Sequence, residues 1–269
     1  MKAAGSLDKL LVIIRRDLLT TFRYRSAFAA NIFSLLVEIL GLYFLARAVG
    51  RDYHPDHVDY FPFLLVGTGF YTFLVLGIGT FVESVRDAQV TGTMEVLMTT
   101  STGAPTVIFL TAVSAFAGRV LRLIVFLAAG LFVFRVPLRH PNVVGCIVVF
   151  LLSLLIAISI GIAAAAVQIA IQRGGAVLTL FASLTWLVTG VMFPVSALPT
   201  VLQPIAQLLP FTQSLKGLRL SLLQSASLIE LSSPMLILAV YLAFLLPLSL
   251  TLLAAALRNA RLRGTLSFY

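Results

Sequence analysis

Charge is scarce in this sequence. Asp, Glu, Lys and Arg together make up 11% of its 269 residues, where a soluble domain carries about 25%. So little charge cannot clothe a water-exposed surface, which excludes an ordinary soluble domain. Cysteine occurs once, at Cys146. That excludes a disulfide framework or a cysteine metal cluster, and Cys146 reads as a small core residue. The three histidines, His54, His57 and His140, all fall outside the long apolar runs, and no two acidic residues share a run. A membrane enzyme needs such groups to converge at depth, so that class lacks visible machinery. The Gly-x-x-x-x-Gly-Lys-Ser/Thr loop that cradles nucleotide phosphates is also missing. No internal repeat or low-complexity segment interrupts the chain.

What is present is apolar. Hydrophobic residues make up 60% of the chain, and the mean hydropathy is +1.06. Six apolar runs fall at about 27–48, 60–82, 106–134, 143–171, 176–193 and 235–257. A helix of about 20 apolar residues crosses a hydrocarbon core of roughly 30 Å. A membrane β-barrel would show short alternating segments instead. The expected fold is all-α: a polytopic membrane protein with six transmembrane helices, forming one domain over 1–269. The runs at 106–134 and 143–171 exceed what a bilayer needs, so they tilt, kink or project into water. The N-terminus does not read as a cleavable signal, because its charges continue through Arg25.

The net charge of +9 reads as topology and headgroup contact, with no nucleic-acid partner, because the basic residues flank the spans. With the N-terminus inside, Lys2, Lys9, Arg15, Arg16, Arg23, Arg25, Arg86, Arg173, Arg258, Arg261 and Arg263 lie on the cytoplasmic side. Arg47, Arg51, Arg135, Arg139, Lys216 and Arg219 fall outside. The excess inside places both termini in the cytoplasm of a plasma (inner) membrane. Residues 6–24 repeat Leu7, Leu10, Leu11, Ile14, Leu18 and Phe22 at helical spacing among basic residues. They predict an amphipathic interface helix carrying Arg15, Arg16 and Arg23, with Arg25 at its end.

Two further segments stand out. Residues 83–105, ESVRDAQVTGTMEVLMTTSTGAP, are charged and lie between apolar runs on the cytoplasmic side. Thr93 can cap a short helix with Glu95 in its first turn, Met94, Leu97 and Met98 on one face, and Gly103 and Pro105 at its end. That helix either lies on the membrane surface or fills a groove on a partner. Residues 194–234 are too apolar for a free loop, and Pro194, Pro199, Pro204 and Pro210 break them too often for a span. They form either a re-entrant helical hairpin packed against protein or an amphipathic cap on the outer surface.

Polar residues at membrane depth are candidates for function. Glu38 lies mid-way along the first run, where it pairs with Arg119 or Arg122 or faces a translocation path. Gln168, Gln203 and Gln207 line a path or bond across helices. The second run combines Gly67, Gly69, Gly77 and Gly79 with Phe70, Tyr71 and Phe73. The glycines permit close helix approach, and the rings are either core or a stacking face for a ligand. Asp52, His54, Asp56, His57 and Asp59 have a metal-like composition without the spacing of a closed site.

GTMEVLMTTSTGAP at 92–105 resembles the coupling-helix pattern of ABC-2-type transporter permeases. Three further stretches agree in order: RRDLLTTFRYRSAF at 15–28, GVMFPVSALPTVLQPIAQLLPFTQSLKGLRLSLL at 190–223 and RNARLRGTLSFY at 258–269. The resemblance implies the permease subunit of an ATP-driven exporter, working as a homodimer with two separate ATPase subunits. ATP and Mg would bind those partners, and this chain would be neither an enzyme nor a cofactor carrier. Glu83, Arg86, Asp87, Gly92, Thr93, Met94, Glu95, Leu97 and Met98 would form the ATPase-coupling region. The implied substrate is hydrophobic or amphipathic. A lipid-linked polysaccharide is the alternative within the family, and an ion-coupled transporter or channel the alternative outside it.

Overall fold

The computed structural model describes residues 25–50, 52–92, 104–136, 140–171 and 174–263. Every regular element among them is helical. The order is α1 (Arg25–Val49), a 3-10 turn (Pro55–His57), α2 (Tyr60–Val90), α3 (Ala104–Val133), α4 (Val143–Ile171) and α5 (Gly174–Val188). A second 3-10 turn (Val195–Ala197), α6 (Leu202–Leu208), α7 (Pro210–Leu223) and α8 (Ser232–Arg263) follow. Each of the six apolar runs is a helix. Four are long and apolar enough to cross a membrane: Ala29–Val49, Tyr60–Val90, Val143–Ile171 and Ser232–Ala260. The apolar part of α5, Gly175–Val188, is shorter, and α3 carries Arg119 and Arg122 within its 30 residues.

The second helix is the hub. It touches α1, α3, α4, α5 and α7, and Phe63, Leu64, Leu65, Leu74 and Val85 along it are fully buried. Missing side chains make this crowding feasible. A Cβ on Gly77 would sit 2.3 Å from the Phe116 ring, and one on Gly69 2.6 Å from Phe126. The relation reverses on other helices, where Gly130 and Gly161 receive Leu65 and Phe81 of α2. Small residues therefore admit large ones across each contact, which is how membrane helices gain packing without a water-driven force.

Three connections meet at one end of the bundle. Asn142 caps α4 by accepting the Gly145 amide, and its own side-chain amide donates to the Ala226 carbonyl at 2.8 Å. Its backbone N–H donates to Ser221, and Gln224 donates to the Asp56 carbonyl at 2.7 Å. The loop at 52–59, the start of α4 and the end of α7 are thus laced together. The segment predicted as a hairpin or a cap holds α6, largely exposed, and α7, which buries Phe211, Ser214, Leu215, Leu218 and Arg219 against α2, α4 and α8. As a packed helix, α7 departs from a cap lying on the surface.

Several boundaries differ from the sequence expectation: the helix in the run 176–193 ends at Val188, α8 runs on past 257 to Arg263, and the end of α2 moves most. The run predicted to end at residue 82 continues as helix to Val90, so Glu83, Arg86 and Asp87 are the last turns of α2. Val85, Ala88 and Gln89 are buried there while Glu83, Arg86, Asp87 and Val90 are exposed. The charge predicted to lie beyond the span is one face of the same helix, whose other face stays in the core. The predicted hairpin segment also ends sooner than 234, because α8 begins at Ser232.

Candidate functional site

At the end of α2 opposite the laced connections, Asp87 accepts both the N–H and the hydroxyl of Thr91 at its carbonyl. Gly92 then takes φ +67°, a left-handed conformation that glycine adopts without a side-chain clash and that commonly closes helices. The predicted coupling helix follows this turn in the sequence. Thr93, Met94, Glu95, Leu97 and Met98 lie outside the described residues. So do Arg15, Arg16 and Arg23, while Arg25 begins α1.

Behind the exposed charges of α2, Gln168 of α4 donates to Gln89 at 3.1 Å, with both side chains buried. The bond ties the overhanging end of α2 to α4. A buried amide pair of this kind holds register, because separating it strands polar groups in an apolar setting. Gln203 acts inside the hairpin segment, donating to the carbonyls of Ser196 and Leu198. The backbone carbonyl of Gln207 accepts from Gln213 of α7 at 2.7 Å.

The aromatic residues of α2 face inward within the protomer. Phe73 stacks on Phe150 of α4, with centroids 5.5 Å apart, and meets Phe116 edge-on. Phe70 is buried beside them. Tyr71 donates its hydroxyl to the Ala182 carbonyl of α5 and lies 2.7 Å from the Thr185 hydroxyl. Glu38 of α1 lies 3.9 Å from Arg122 of α3. In the loop at 52–59, His54 is 3.2 Å from Asp59. No group of three His, Cys, Asp or Glu side chains converges among the described residues.

Sequence reasoning counted Arg219 as one more outer cation. It is 6% exposed. Its guanidinium donates to the carbonyls of Gly190 at 2.8 Å, Val191 at 2.9 Å and Phe63 at 3.1 Å. It also lies 3.4 Å above the Phe63 ring centroid, a cation–π contact. Two of the acceptors follow the C-terminus of α5, where the helix dipole favours a cation. Gly67 makes the room: a Cβ there would be 2.4 Å from both the guanidinium and the Val191 carbonyl. One side chain thus joins α2, α5 and α7. The signal in the sequence was an Arg in a segment otherwise poor in charge.

The protomer leaves broad apolar faces uncovered. Leu180, Leu184 and Leu187 of α5 are exposed, as are Phe33, Leu40 and Phe44 of α1. Helices of this length and apolarity, packed through small residues around a polar frame, make a multi-pass membrane protein. A family model described as ABC-2 type transporter matches residues 8–223. A search of curated proteins finds no match. The match spans most of the chain and includes the helical frame around α2 and α7, so the chain belongs to the ABC-2 type transporter family, as a membrane permease component of an ABC transporter.

Proposed function

We propose that this permease serves an ATP-driven exporter of a hydrophobic or amphipathic substrate across the plasma (inner) membrane. It works as a homodimer carrying two ATPase subunits on the cytoplasmic side. The six helices α1–α5 and α8 cross the bilayer, the short α5 together with the residues that follow it, with both termini in the cytoplasm and the α6–α7 hairpin entering from outside. The observation that carries the reading is the end of α2. A helix of 31 residues is about 46 Å long at 1.5 Å per residue, well beyond a hydrocarbon core of roughly 30 Å. Its overhang presents Glu83, Arg86 and Asp87 to solvent and leads directly into the predicted coupling helix. Glu95 would pair with a basic groove residue there, and Met94, Leu97 and Met98 would fill the groove.

An apolar cargo is favoured over a polysaccharide by the uncovered faces of α1 and α5. They carry Phe33, Phe44, Leu180 and Trp186, and the hydroxyls of Thr179 and Ser183 are spent on carbonyls of their own helix. A glycan would require a denser lining of free hydrogen-bonding groups. The same stretch supports pairing of two copies. Gly175, Thr179 and Ser183 form an exposed small-residue stripe at four-residue spacing, the pattern that lets membrane helices approach closely.

The test is purification of the tagged chain from its host in mild detergent, read by mass spectrometry. A soluble subunit with a phosphate loop is expected at equal stoichiometry. Recovery of the chain alone, while a control complex survives the same detergent, would overturn the coupling reading. Inverted vesicles containing the complex should then take up cargo only with ATP present.

A further inference from the structure

Glu38 lies near the middle of α1, and Arg119 and Arg122 stand three residues apart near the middle of α3. Between α1, α2 and α3 is a cleft lined by Leu35, Glu38, Gly69, Phe73, Arg119 and Arg122. The Arg122–Glu38 pair is 3.9 Å apart, and the two side chains keep 36% and 30% exposure. Arg119 has no ion-pair partner among the described residues. The cleft therefore holds two fixed cations and one anion at a depth where an uncompensated charge is costly. Leu36, Val37 and Leu40 on one side, and Leu121, Ile124 and Val125 on the other, are exposed apolar residues flanking it.

We propose that this cleft seats an anionic membrane lipid, a phosphodiester headgroup with one net negative charge. A phosphodiester offers two unbridged oxygens, which match the fork of a guanidinium. One such group neutralises the excess cation at Arg119 without displacing the Glu38–Arg122 pair. Helical side chains lean toward the N-terminus, so both arginines reach along α3 toward Ala104 and the nearer leaflet. The acyl chains lie along the flanking leucines and valines. This inference rests on the membrane placement of α1–α3 and not on ATPase coupling, so either can fail alone.

The test uses the delipidated full chain in neutral detergent, with native mass spectrometry counting adducts of phosphatidylglycerol and phosphatidylcholine. Phosphatidylglycerol is expected to bind preferentially, and glycerophosphoglycerol, which has the phosphodiester head without the tails, should not compete. Arg119→Gln should weaken phosphatidylglycerol binding about fivefold, the effect of one basic residue at a lipid surface. Glu38→Gln should strengthen it, a gain that a misfolded variant would not produce. Lys216→Gln, on an exposed site of α7, should change nothing. Equal binding of the two lipids, or unchanged binding by Arg119→Gln, would overturn the proposal. So would a shift of the monomer–dimer ratio by Arg119→Gln with lipid binding intact, since the counter-anion would then be a carboxylate of a second copy.

Discussion

Arg219 concentrates more of the architecture than any other single side chain described here. Removing it strands the Gly190 and Val191 carbonyls, and hydrogen bonds to a charged donor contribute about 1.5–3 kcal/mol each. Arg219→Ala should therefore lower stability by about 3 kcal/mol or more, seen as a large drop in apparent melting temperature in detergent. Arg219→Lys should recover only part of it, because an ammonium is a point donor without the planar fork. Gly67→Ala should cost about 1–3 kcal/mol by overpacking, and it should keep part of that cost in an Arg219→Ala background, because the Val191 carbonyl is met as closely as the guanidinium. A full additive loss in the double variant would show that the Val191 carbonyl is the obstacle. Little of this was legible in the sequence, where Arg219 stands as a charge in an apolar segment but its surroundings do not separate it from Lys216 three residues earlier. Only the packing of three helices separates a snug cation from a solvated one.

Among the elements, α2 was half legible. Its apolar run gave the span, but the helix end was misplaced because Glu83, Arg86 and Asp87 end the apolar run when read without their neighbours. Val85, Ala88 and Gln89 carry the opposite message, and helical spacing reconciles the two. The overhang should depend on the amide pair behind it. Gln89→Leu or Gln168→Leu alone should destabilise by about 1–3 kcal/mol by stranding a buried amide, and the double variant should cost less than the sum, as a double-mutant cycle in thermal unfolding would read. A second element makes a pH prediction. Glu230 accepts the Ser227 N–H at 2.6 Å and the Ser227 hydroxyl at 3.0 Å. The backbone bond first, and the hydroxyl second, hold its carboxyl below the ordinary value. With the folded pKa depressed, the turn before α8 keeps this support above the unfolded carboxyl pKa, about 4.3, and loses it as pH falls through the lower folded value. Amide exchange at Ser227 should speed up in that acid window, and Glu230→Gln should remove the pH dependence.

For the whole molecule, hydropathy and length gave the class and the helices in order. They could not give which helix lies at the centre, because that depends on partners distant in sequence: Gly77 with Phe116, Gly161 with Phe81, Asn142 with Ala226. Family membership was legible because motifs keep their order along the chain. Self-association belongs to this scale. Bulk on the α5 stripe should keep the protomer folded and prevent close approach of a second one. Thr179→Leu with Ser183→Leu should preserve the melting temperature and shift the population toward monomer in light scattering from detergent solution. An unchanged dimer would move the interface to another face, with α1 the next to test.

The guanidinium of Arg219 addresses only main chain at Gly190 and Val191. Main-chain carbonyls are supplied by every amino acid, so the side chain at 191 is free to drift over evolutionary time without disturbing the clamp, apart from its own burial. Position 67 has no such freedom, since any side chain there enters the space already taken. Position 191 can therefore vary among descendants of this gene while two letters far apart, the glycine at 67 and the arginine at 219, are inherited together.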